Sequence, residues 1–68
     1  MSANPSSTAA EVSAILESVE RSSRRLAELA EPYLGTERED IITVLYEAER
    51  QLLGANRSLQ RALRTLGQ

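Results

Sequence analysis

The side chains able to do chemistry are ten carboxylates, eight arginines, a scatter of hydroxyls and two tyrosines, with no histidine and no cysteine. A nucleophile would have to be Ser, Thr or a carboxylate, and none has an evident base beside it. Glu47 and Glu49, with Glu17, Glu20 and Glu28, suggest a carboxylate-bridged metal pair across two helices. Di-iron bundles build that site with a Glu-x-x-His pair, which a chain without histidine cannot supply. Glu49 is instead expected to flank a buried seam and to pair with an arginine across the interface. The sequence therefore predicts no catalytic residue, no metal and no cofactor.

The arginines offer a second chemistry. Arg50, Arg57, Arg61 and Arg64 follow one another with no acidic residue after Glu49. Arg57, Arg61 and Arg64 are the candidate anion contacts, for a nucleic acid or an anionic lipid surface. Three observations weigh against that reading. Cations belong near a helix C-terminus, no aromatics interleave with these arginines to stack on bases, and the net charge is only −2. Asn56-Arg57-Ser58 matches a glycosylation acceptor but falls inside a helical pattern. Asn56 is better read as a polar residue beside the seam that fixes register. Ser18, Ser22 and Ser23 are expected to be solvated helix surface plus one small core position.

Two long elements must position these groups. Residues 41–66 repeat apolar residues at intervals of four and three: Ile41, Leu45, Ala48, Leu52, Ala55, Leu59, Ala62 and Leu66. That period is a helix with a buried stripe alternating large and small residues. Val44, Ile42, Leu53 and Leu63 widen it. Residues 1–7 read as a disordered arm. Thr8 and Glu11 then form a capping box, followed by the ladder Val12, Ile15, Val19, Ser22, Leu26, Leu29 and Tyr33, with Leu16 and Ala30 on its flank. The predicted domain is 8–68: a helix over 9–31, a turn over 32–36 and a helix over 37–66. Pro32 interrupts the first helix, leaving open a kink or a stop at Glu31. Gly35 suits a left-handed cap, and Thr36 with Glu39 forms a second capping box. So short a connection folds the helices back antiparallel, with Ser22 opposite Ala48 and Val12 opposite Leu59.

At 68 residues the chain is near the size at which a core needs a staple, a metal or a second chain. Without cysteine, oligomerisation is the remaining route. The apolar stripes exceed a two-stranded seam and match a helix with two neighbours. The expected fold is all-α: an antiparallel helical hairpin dimerising into a four-helix bundle or coiled coil. Cyclic dimers dominate soluble oligomers, so a homodimer is the expected state. Its interface residues are Val12, Ile15, Val19, Leu26, Leu29, Ile41, Leu45, Leu52, Leu59, Leu63 and Leu66. All eight cations are Arg, which with abundant Ala suggests a GC-rich bacterial genome. The absence of an apolar run of about 18–20 residues or of a secretory signal gives a cytoplasmic expectation. The initial Met1 suggests a complete gene product.

Pro32-Tyr33-Leu34-Gly35, an aromatic-x-Gly turn between two helices, resembles the turn of the small helical-hairpin proteins exported by type VII secretion. The resemblance covers four residues and a topology. That family usually carries Trp where Tyr33 stands, is longer, and follows its second helix with a Tyr-x-x-x-acid signal. Here Arg50 occupies the acid position after Tyr46, and Tyr33-x-x-x-Glu37 falls in the turn itself. The expected function is non-catalytic protein–protein interaction by a small scaffold, adaptor or regulator. The alternatives are a helical subunit stable only with another protein, either a type VII secretion-like hairpin, as the resemblance implies, or an inhibitor subunit, and a weak nucleic-acid binder through the C-terminal arginines.

Overall fold

The computed structural model describes residues 3–67; Met1, Ser2 and Gln68 lie outside them. Helix α1 spans Pro5–Ala30, a single 3₁₀ turn spans Glu31–Tyr33, and helix α2 spans Glu39–Leu66. Among the described residues there is no strand. At about 1.5 Å per residue the helices are roughly 39 and 42 Å long. They lie side by side and antiparallel in a body of 54 × 17 × 14 Å, the start of α1 beside the end of α2.

The start of α1 lies a turn earlier than the Thr8 box implies. Asn4, in an extended conformation, accepts hydrogen bonds on its side-chain oxygen from the Ser6 N–H at 2.9 Å and the Ser7 N–H at 3.4 Å. Pro5 then opens the helix, where its missing N–H costs nothing. Thr8 is already inside, its N–H donating to the Asn4 carbonyl at 3.0 Å. Of the arm expected over 1–7, only Ala3 and Asn4 precede the helix among the described residues, and the part at Met1 and Ser2 lies outside them.

Pro32 stops α1 rather than kinking it. The chain tightens into the 3₁₀ turn, with the Leu34 N–H donating to the Glu31 carbonyl at 3.1 Å. Gly35 takes φ +73°, the left-handed region expected of it. Thr36 does not cap α2 as a box residue. Its hydroxyl donates to the Tyr33 carbonyl at 2.6 Å and accepts from the Arg38 N–H at 3.2 Å, bracing the turn. Helix α2 consequently begins at Glu39, two residues later than the expected 37.

The contact faces are rotated from the expected ladders. Covered positions on α1 are Ala9, Val12, Leu16, Val19, Ser23, Leu26 and Ala30, with Glu20 and Ala27 half-buried on one flank. On α2 they include Ile42, Leu45, Glu49, Leu52, Asn56, Leu59, Leu63 and Leu66. The cause lies at the turn, which delivers Ala30 (0 % exposed) and Ile42 (9 %) to the contact. Seven-residue repeats from that point carry the face to 23, 16 and 9 on one helix and to 49, 56 and 63 on the other. Ser23, not Ser22, is thus the polar residue in the α1 seam. Ser22 is exposed, as are Ile15 and Leu29.

The buried Ser23 hydroxyl has no hydrogen-bond partner, an arrangement that costs about 1–3 kcal/mol. Gly54 is equally unexplained by packing within the chain. A Cβ built there meets nothing nearer than an Arg57 guanidinium nitrogen at 3.9 Å, so no close approach of α1 requires it. Ser23→Ala and Gly54→Ala are each expected to stabilise by about 1 kcal/mol. In a domain of this size that raises the melting temperature by roughly 4–8 °C. Circular dichroism melts check both; a lowered midpoint in Ser23→Ala would mean the hydroxyl has a partner in solution.

Candidate functional site

Among the described residues, no three acidic side chains converge in a way that could hold a metal ion. Glu49 is half-buried at the seam, where expected, and among the described residues of the single chain no arginine lies within ion-pair distance of it. Asn56 also sits in the seam, its side-chain oxygen accepting from the Gln60 amide at 2.9 Å one turn on. The ion pairs are local and exposed: Arg25–Glu28 at 3.3 Å, Arg38–Asp40 at 3.0 Å and Arg50–Glu47 at 4.0 Å. Exposed pairs of this kind contribute little to stability.

Of the eleven expected interface residues, nine touch or flank the seam. Val12, Val19, Leu26, Ile41, Leu45, Leu52, Leu59, Leu63 and Leu66 are half-buried. Ile15 and Leu29 are not in the seam; they stand 52 % and 43 % exposed. Val44, Leu53, Tyr46, Tyr33 and Leu34 are exposed as well. Arg57, Arg61 and Arg64 are exposed, and none lies within 4 Å of a carboxylate among the described residues.

One groove stands out, at the open end of the helix pair. Thr8 and Val12 of α1 and Ser58, Arg61, Ala62, Thr65 and Leu66 of α2 line about 530 Å³ of shallow, largely apolar space. Val12 thus lies beside Ala62 and Leu66, further along α2 than the Leu59 expected from counting back around Gly35. Thr8, Ser58, Arg61 and Thr65 stand around it, but its exposed lining is mostly apolar and it is open and shallow, unlike the enclosed pockets that hold small molecules. Its chemistry is that of an incompletely filled helix–helix contact.

The best-defined polar feature is a clamp at the start of α2. The Arg38 guanidinium donates from Nε to Asp40 Oδ1 and from Nη2 to Oδ2, both at 3.0 Å, a two-pronged geometry. That hydrogen bonding, then the charge of Arg38, holds the Asp40 carboxyl below its usual 3.8. A lowered carboxylate pKa favours the folded state above the unfolded value, and the contribution is lost as pH falls through the lowered one. An NMR titration is expected to place the Asp40 midpoint below 3.8, with Arg38→Gln moving it back up. An unmoved midpoint would show the clamp does not persist in solution.

No family model, no curated protein and no solved structure matches this chain.

Proposed function

We propose that this chain is a non-catalytic protein–protein interaction module, a small scaffold, adaptor or regulator that works as a homodimeric four-helix bundle. The observation that carries this reading is the surface the helix pair leaves uncovered. Its accessible area is 5229 Å², whereas a compact monomer of 7.5 kDa is expected to expose about 4,200 Å². The excess of about 1,000 Å² is close to the roughly 800 Å² that each partner contributes to a standard interface. Among the described residues no large side chain is fully buried, and Ala30 and Ile42 alone form the strictly buried apolar core. Leu45, Leu52 and Leu63 remain half-covered and Leu53 is 44 % exposed. A second pair of helices supplies the missing cover. No helix is long and apolar enough to cross a membrane among the described residues, so the uncovered leucines and alanines have no spanning role to explain them.

A second reading places a different protein on the same surface, making the chain an obligate subunit. Tyr33 and Leu34, exposed at the turn, favour it, since they stand apart from any face that self-packing along the helices would cover.

Light scattering on the purified chain separates the two. The homodimer is expected at about 15 kDa, twice the 7.5 kDa of the chain, with a melting temperature that rises with protein concentration. A cooperative, concentration-independent melt at the monomer mass would refute self-association. Poor helicity alone, repaired by a component of the host lysate, would favour the second reading. Leu52→Asp, which places an unpaired charge against the seam, is expected to unfold the assembly.

A further inference from the structure

We infer that the second copy docks end over end on one particular edge of the helix pair, the edge bounded by the alanine row of α2. The inference rests on the homodimer reading and adds a face, an orientation and a register. Residues seven apart share a side of a helix in a supercoiled pair. Thr8 therefore heads a row with Ile15, Ser22 and Leu29 on α1, and Ala62 ends a row with Ile41, Ala48 and Ala55 on α2. Thr8 and Ala62 line the same groove, so both rows border the same edge, and the groove is one end of a strip running its length. Neither row contains an ionisable side chain. Ile15 and Leu29 are the large apolar residues on α1 that the seam leaves exposed. The other edge is less suited. There the rows 13, 20, 27 and 39, 46, 53, 60 carry Glu20 and Glu39 beside Tyr46 and Leu53.

Charge selects the orientation. Between Glu28 and Asp40, at the turn end, lie five carboxylates and one arginine. At the open end, 5–22 together with 50–66 carry five arginines against three carboxylates. Two copies aligned the same way would set the acidic ends together, which is unfavourable. Turned end over end, each acidic turn lies along the other copy's arginines. Along α2 the polarity is complete: every carboxylate lies at or before Glu49 and every arginine at or after Arg50. Matching the two halves sets Ala48 opposite the partner's Ala55 and Ile41 opposite the partner's Ala62. Alanine facing alanine lets the α2 axes approach at the short end of the usual 8–10 Å.

Because the chain has no cysteine, thiol pairing tests this directly. The probes are full-length Ala48→Cys and Ala55→Cys chains, distinguishable by tag, mixed and oxidised. Disulfides need Cα atoms within about 7 Å. The 48–55 heterodisulfide is expected to form at least tenfold faster than either like-with-like disulfide. Equal self-crosslinking of each variant would overturn the end-over-end orientation. Efficient crosslinking through Leu53→Cys, with the protein still dimeric by light scattering, would overturn the face while leaving the homodimer reading standing. A monomer by light scattering would overturn both.

Discussion

Two helices can shelter only the strip along which they touch, and that limit governs everything else here. Each helix is roughly 40 Å long, so the strip is long, but it is one residue-row deep on either side. A third layer would be needed to bury the flanks, and α1 and α2 take up nearly all of the described residues. Surface-to-volume scaling says the same of small domains in general. In this chain the result is a seam of half-covered leucines, with Ala30, Ile42 and Ser23 the side chains shut away from water among the described residues. Stability drawn from apolar burial is therefore modest within a single copy. The charge polarity of α2 and the uncharged rows at one edge acquire their significance from that shortage.

The seam itself is also more polar than a minimal contact requires. Ser23, Glu49 and Asn56 sit among its covered positions. Polar residues in such a contact lower stability but penalise sliding, since each shifted register would bury a different and worse set. Ser23 shows the cost most plainly, because its hydroxyl is enclosed without a partner. Asn56 is better provided for, with Gln60 one turn away donating to it. The clamp between Arg38 and Asp40 acts at another level. It orders the entry to α2, where Glu39 and Asp40 also complement the positive end of the helix.

The helical period, the break at Pro32, the left-handed Gly35 and the antiparallel return were all legible from residue types and spacing. The rotation of each helix about its own axis was not. Apolar residues at both 15 and 16, at both 29 and 30, and at both 41 and 42 allow two ladders with equal claim. The choice between them is made by the 3₁₀ turn, a three-dimensional constraint that periodicity does not encode. The helix starts differ from the expected boxes for a related reason. Thr8 and Thr36 each head a plausible box, but Asn4 followed by Pro5 competes better for the first start, and Thr36 is drawn into the turn. For the candidate surface, the ladders read from sequence mix two faces: residues such as Val12 and Leu52 meet the neighbouring helix, while Ile15, Leu29 and Ala55 look outward.

The turn has one more effect. Straightened, residues 31–38 would join α1 and α2 into one continuous rod, and the same seam could then close between exchanged halves of two chains. Such a swapped form preserves every helix–helix contact, so the contacts alone do not disfavour it. The connection does. Proline within a helix costs about 3 kcal/mol or more, and glycine adds about 1. Pro32 and Gly35 together therefore oppose arm exchange and keep each chain's two arms paired with one another.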